Sequence, residues 1–500
     1  DLHPRVRRQR QMCIRDRELS ENNIVTIQPD SLRILHNPLT GWVLYASMGV
    51  DAADFWAQYD HMYIPELGHN VSVTDYAHTL YIRASWTDFN PQEDVYGWKI
   101  DSNLRAYIEG AYQRNMRLAF RVVVDSRDKR TEFTPQFVKD AGAKGFMNKG
   151  KWSPYSDDPV FQKYYTKFVK ALAKDFNDPS KVEFIDGFGL GKWGEYHTMI
   201  YSTGDDTPKK AVFNWVTDIY SQAFDKVPVV INYHRWIGAG KDWVDDEHFA
   251  ADSEEMLEEA IKKGYSLRHD AFGMTTYYGS WERRFAKKYR NICPIIMEGG
   301  WIVKSHNYWQ DPRGYRKDSH EDVRRGEFDD SKEAHVNMMD FRFGDTKSWF
   351  KDAFDLVRRF LREGGYRLYP SEISLPLEVS KKTTPTIKHC WNNLGWGYCP
   401  TNIPQWNQKY KVAFALLDSE TNEVRYTFVD TDTDLSKWIK GSPAEYVFEP
   451  DMSKVETGTY VWAVGLVDRS NKDLVGLDIA AKGDILDSGW LKLSKVSIKK

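Results

Sequence analysis

The chain has little cysteine, no long apolar run and almost no net charge, and each shortage removes a class of protein. Four cysteines in 500 residues (Cys13, Cys293, Cys390 and Cys399), none in a CxxC pair, exclude a disulfide-dense scaffold. No stretch of about eighteen apolar residues exists to form a membrane-spanning helix. Lys and Arg number 69 against 72 Asp and Glu, a net charge of −3, so general attraction to nucleic acid or to an acidic membrane surface has no electrostatic basis. Phosphate-cradling glycine loops and clustered His/Cys ligand spacings are missing too, so no cofactor and no metal is expected. Gly187-Phe188-Gly189-Leu190-Gly191 lacks the helical pattern that a nucleotide loop needs behind it.

What is present is an ordinary globular composition, 41% hydrophobic and 28% charged, which excludes a disordered or collagen-like chain. Aromatic residues make up 14%. Flat rings with a polar edge fill cores, and they are also surfaces on which sugar faces stack. At about 150 residues per domain, the length fits two or three domains, or one barrel with an appendage.

Three segments are expected. Residues 1–20 hold Arg5, Arg7, Arg8, Arg10, Arg15 and Arg17 without apolar period, resemble translated adapter sequence, and read as a disordered or non-native leader. Residues 21–368 alternate short apolar runs with amphipathic helices. The runs at 42–45, 79–83, 118–124, 184–190, 229–233, 271–275, 294–297 and 335–339 predict eight strands. Between them, Asp101 predicts a helix cap ahead of Leu104, Tyr107, Ile108 and Ala111, and Asp158-Pro159 opens a second helix. Ser253 opens a third that Gly264 stops, and 349–362 makes a last helix. Eight strands with intervening helices predict an α/β fold, a (β/α)8 TIM barrel, with a doubly wound open sheet as the alternative. Residues 369–500 lose helical spacing and alternate in strand fashion (373–379, 410–417, 424–429, 460–467), which predicts a C-terminal antiparallel β-sandwich. Its aromatics, Trp462 among them, follow core alternation and predict a structural role. Cys390 and Cys399 either close a small loop or stand as two free thiols.

In such a barrel the active site lies at the C-terminal strand ends. Two glutamates stand there. Glu195 follows the fourth strand in Gly191-Lys192-Trp193-Gly194-Glu195-Tyr196-His197, and Glu298 follows the seventh in Pro294-Ile295-Ile296-Met297-Glu298-Gly299-Gly300. Facing carboxyl groups supply what glycosidic hydrolysis needs: one protonates the leaving oxygen, the other attacks the anomeric carbon or activates water. The bland alternative, loop caps or ordinary ion pairs, is weakened because each ends an apolar strand beside glycine. The candidate substrate-binding residues are Arg83 after the second strand, His197 beside Glu195, Asn232, Tyr233 and His234 after the fifth, Tyr277 and Tyr278 after the sixth, and His335 at the eighth. Trp86, Trp193, Trp236 and Trp301 are candidate sugar platforms. Arg313, Arg316, Lys317, Arg324 and Arg325 can receive an anionic polysaccharide, although interleaved acids favour a solvated loop.

The stretch Trp86-Thr87-Asp88-Phe89-Asn90-Pro91-Gln92-Glu93-Asp94-Val95-Tyr96-Gly97-Trp98, with Trp193-Gly194-Glu195 and Met297-Glu298-Gly299, resembles the β-galactosidase-like clan A glycoside hydrolases. Asn90-Pro91 stands where Glu-Pro is usual there, and Gly194 stands where that clan carries Asn, so a contact to the sugar 2-hydroxyl must come from elsewhere. A second resemblance, to a bacterial group of glycosidase-like barrels with a C-terminal sandwich, rests on Asn37-Pro38-Leu39-Thr40-Gly41-Trp42, Gly194-Glu195-Tyr196-His197, His335-Val336-Asn337, Gly365-Tyr366-Arg367 and Trp391-Asn392-Asn393-Leu394-Gly395. These resemblances imply a secreted, periplasmic or cell-surface hydrolase that cleaves a poly- or oligosaccharide with retention, β-galactosides among the candidates. Glu195 would be acid/base and Glu298 nucleophile. The competing expectation is a carbohydrate-binding surface protein on the same barrel without catalysis.

Overall fold

A computed structural model describes residues 22–127, 131–240, 247–274, 277–300 and 320–500. The expected leader at 1–20 lies outside the described residues. The chain divides into two compact units, one of Pro38–Gly365 with Asn402–Asn407, the other of the remaining segments.

The first unit is a closed barrel of eight parallel strands whose neighbours follow chain order: β1 (Gly41–Tyr45), β2 (Ala77–Ser85), β3 (Arg117–Val123), β4 (Val182–Asp186), β5 (Val229–Asn232), β6 (Tyr265–Phe272), β7 (Ile295–Gly299) and β8 (Met338–Asp340). It is the expected TIM barrel. Two of the expected helices form where the sequence places them. Asp101 accepts from the Leu104 amide and caps Ser102–Gln113, while Asp158 accepts from Phe161 ahead of Pro159–Phe176, with proline at the first position.

Three expectations are corrected. The helix expected from Ser253 begins earlier, at Glu247, and buried Ser253 accepts from the Ile237 amide instead of capping. The helix expected at 349–362 is two, Thr346–Asp352 and Phe354–Glu363, broken at Ala353, whose φ of −147° is not helical. The sixth strand lies at Tyr265–Phe272, ahead of the expected 271–275, because it carries Arg268, His269 and Asp270 in its buried stretch and so does not read as an apolar run.

The floor of the barrel is sealed by one buried carboxylate. Glu183 accepts from the Leu39 amide (2.6 Å), from Arg117 Nε (2.7 Å) and from Thr79 Oγ1 (3.3 Å), so the charge is paired away from the opposite rim.

The second unit is a two-sheet β-domain. Strands Asn22–Thr26, Leu368–Pro376, Ile387–Asn393 and Ala444–Phe448 form one antiparallel sheet. Leu491–Lys499, Gly458–Asp468, Tyr410–Asp418 and Val424–Asp430 lead the other, with one short parallel pairing by Glu378–Ser380. The expected limits of 21–368 and 369–500 therefore shift, since Asn22–Thr26 pairs in register with the strand that opens the C-terminal domain. Trp391, Trp438 and Trp462 are fully buried there. Cys390 and Cys399 are buried and are not joined in a disulfide.

Candidate active site

The loop after β4 is built to hold one side chain in an unusual place. Gly189 has φ +83°, and a Cβ on it would fall 2.3 Å from the Val122 carbonyl oxygen, so only glycine fits. Trp193, Tyr196 and Thr198 also adopt left-handed backbone (φ 59°, 62° and 51°). Such conformations persist where surrounding contacts enforce them. Here the Lys192 amide donates to the His197 carbonyl (3.1 Å), the Tyr196 amide to Leu190 (2.9 Å), and Arg83 Nη2 to the Trp193 carbonyl (2.9 Å). The product of this strain is the position of Glu195.

Glu195 has its side chain 15% exposed. Its Oε2 meets His197 Nε2 at 3.1 Å. Its backbone carbonyl accepts from His234 Nε2 at 2.7 Å, while His234 Nδ1 accepts from the Trp236 amide. That pattern fixes His234 as the neutral Nε2–H tautomer, consistent with burial and the neighbouring His197 lowering its pKa to about 3. For Glu195, burial and then the charge of Asp270 raise the carboxyl to about 7, against the opposing pull of His197.

Glu298 lies in β7, in register with Asp340 of β8. The next residue, Gly299, leaves space for Glu327, whose carboxyl would meet an added Cβ at 2.1 Å. Arg268 Nη2 donates to Glu298 Oε2 at 2.6 Å and to Asp340 Oδ2 at 3.1 Å. One buried guanidinium joins the two glutamates. Arg121 Nη1 stands 3.6 Å from Glu195 Oε1 and Nη2 3.9 Å from Glu298 Oε2. Its Nε donates to Asp186 at 2.7 Å. Glu195, after β4, and Glu298, in β7, thus both approach Arg121.

Arg83, Arg121 and Arg268 share the rim with Asp186, Asp270, Asp340, Glu195 and Glu298. Burial raises both Glu195 and Asp340, the latter further through Glu298 while Arg268 opposes the rise. Asp270 is held well below the usual range: burial opposes this, but Arg121 and the hydrogen bonds from Glu195 and Asn232 prevail.

The other expected binding residues divide. Arg83, Trp193 and His197 lie at the rim around Glu195, and Asn232 Nδ2 donates to Asp270 Oδ1 at 2.8 Å. His234 positions the loop backbone. Trp86 is not a sugar platform: it is fully buried among Phe137, Phe161, Tyr165 and Phe168. Trp236 is buried under Arg235, and the half-buried Tyr277 packs its ring edge-on against it. Tyr233 and Tyr278, both fully buried, bond each other at 3.0 Å inside an aromatic cluster with Phe272 and Phe285. His335 precedes β8, at the opposite end of the barrel from the carboxyl groups. Trp301, Arg313, Arg316 and Lys317 lie outside the described residues. Arg324 and Arg325 lie on helix His320–Glu333, and Arg324 is buried and paired with Glu327 at 2.6 Å, so it does not face a polyanion.

Four residues escaped the sequence reading: Arg121, Asp186, Asp270 and Arg268. Their signal was a charged letter inside an apolar strand run. Asp340 of β8 is a fifth, and Tyr45, at the end of β1, a sixth, with Phe343 exposed beside it at 5.9 Å between ring centroids. Among the described residues, no group of three or more His, Cys, Asp or Glu side chains is arranged to hold a metal ion, and no helix is long and apolar enough to cross a membrane.

No family profile and no curated protein matches the sequence. Solved structures similar to this chain include endo-glycoceramidase II from Rhodococcus sp. as a lactosyl-enzyme intermediate, at 12% identity over 85% of this chain and 99% of that one, with a TM-score of 0.38. A GH30 endoxylanase from Clostridium papyrosolvens aligns at 10% identity over 87% and 96%, TM-score 0.38. An exo-β-1,4-mannosidase from an Opitutaceae bacterium aligns at 12% identity over 65% and 55%, TM-score 0.36.

Proposed function

We propose that the protein is a retaining glycoside hydrolase acting on a poly- or oligosaccharide, with Glu195 as acid/base and Glu298 as nucleophile. The observation that carries the reading is the pair of unlike carboxyl groups on one guanidinium: Glu195 is raised to about 7 and so holds a proton near neutral pH, while Glu298 is held by Arg268. Two carboxyls in environments that separate their roles are the requirement of this chemistry.

In the first step Glu195 gives its proton to the glycosidic oxygen as the bond to the anomeric carbon breaks, and the Glu298 carboxylate attacks that carbon. In the second, Glu195, now ionised, takes a proton from water. The water oxygen displaces Glu298, and the sugar leaves with its original configuration. Retention calls for the carboxyls to work about 5–5.5 Å apart in the complex. Arg121 Nη2, Asn232 Oδ1 and Tyr45 Oη are buried polar atoms with no protein hydrogen-bond partner among the described residues, and they suit a hydroxyl-rich ligand.

The test is a screen of neutral and anionic polysaccharides with the anomer of the fresh product followed by NMR. Release of reducing ends with retained configuration is expected. Binding without turnover would replace this reading with the non-catalytic carbohydrate-binding one, and an inverted product would remove Glu298 as nucleophile.

A further inference from the structure

We propose that Asp270 is the positioning residue that keeps the proton on Glu195, through an acid pair assembled on a single nitrogen of Arg121. The proposal deepens the glycosidase reading and rests on it. Arg121 Nη1 lies 3.5 Å from Asp270 Oδ2 and 3.6 Å from Glu195 Oε1, so both carboxyls converge on one nitrogen. Asn232 Nδ2, at the end of β5, donates to Asp270 Oδ1 at 2.8 Å and fixes the other oxygen. Each carboxyl bears on the other's titration, Asp270 raising Glu195 and Glu195 lowering Asp270. Two carboxylates this close cannot both ionise without cost, so one proton is shared between them.

The surroundings decide which residue keeps it. Asp270 faces Arg121 from β3, Asn232 from β5 and its chain neighbour His269, and Asn232 donates to it as it would to an anion. Glu195 faces Arg121 from β3, Arg83 from β2, His197 on its own loop and Asp270 from β6, and His234 bonds its backbone. Glu298 of β7 meets the other terminal nitrogen of Arg121. The proton therefore rests on Glu195 and the charge on Asp270. Once Glu195 has given its proton to a leaving group, it stands as a carboxylate against Asp270. The resulting repulsion favours recovery of a proton from water, so one arrangement serves both half-reactions. No atom of Asp270 needs to touch the sugar.

The experiment titrates the carboxyl groups of the free protein by 13C NMR with labelled glutamate, assigning Glu195 by the signal lost in Glu195→Gln. In Asp270→Asn the Glu195 midpoint is expected to fall by about 1 pH unit or more, because a neutral amide no longer repels the ionised form. Asp270→Ser, smaller and also neutral, is expected to move it in the same direction and covers the case in which the amide does not fit. A midpoint that stays put or rises in the folded variants overturns the proposal. No substrate is used, so this result is separate from hydrolysis assays on Glu195 and Glu298 variants, whose failure would strike the glycosidase reading itself.

Discussion

Arg268 reaches from β6 to β7 and donates to Glu298 at 2.6 Å, with its guanidinium fully buried. The same nitrogen serves Asp340 at 3.1 Å. Its value lies in the cost of removing it. Arg268→Ala strands buried carboxyl groups, and breaking such a pair from one side costs about 3–5 kcal/mol. Denaturant unfolding of the variant is expected to show a loss of that order, and wild-type stability in Arg268→Ala would contradict the ion-pair account.

The raised Glu195 carboxyl makes stability depend on pH in a definite direction. Its folded value of about 7 exceeds the ordinary 4.5, so between those limits the native state holds a proton that the unfolded chain has released. Stability from this group is therefore full below pH 4.5 and is lost as pH rises through about 7. Glu327 is raised to about 7 as well and titrates in both proteins, so the difference from a variant is informative. Glu195→Gln is expected to match the wild type in acid and to exceed it in stability above neutrality, by urea unfolding at the two extremes. An offset that does not change with pH would refute the shift.

The aromatic residues separate into two classes by substitution. Trp86→Ala and Trp462→Ala empty fully buried sites and are expected to cost about 3–5 kcal/mol, seen as a lowered Tm. Trp193 is half-buried at the rim, its ring 5.8 Å from that of His197. Trp193→Ala should keep the fold and raise KM roughly 3- to 10-fold through lost stacking. A destabilised Trp193→Ala with unchanged KM would reassign that residue to the core.

The barrel was legible because seven of its eight strand positions announced themselves as short apolar runs ending in glycine or a polar residue. Glu298 was legible for the same reason, since Ile295-Ile296-Met297 leads straight to it. The sixth strand was not, because Arg268, His269 and Asp270 interrupt its apolar pattern, and they do so because the interior of this barrel is where charge is paired. Placing that strand at 271–275 displaced the expected site to Tyr277 and Tyr278 and hid Asp270. Trp86 failed differently. A tryptophan just past a strand can turn toward the rim or into the helix layer, and the capping box from Ser85 to Asp88 starts a helix that turns it inward.

The central claim is that Glu195 and Glu298 act together on one bond, and paired variants test it most directly. On the polysaccharide that the wild type cleaves, Glu195→Gln is expected to lose roughly 10²- to 10⁴-fold in kcat/KM, the usual worth of a general acid, and Glu298→Ala at least as much. Both should keep the wild-type circular dichroism spectrum. Full hydrolysis by either folded variant would contradict the account.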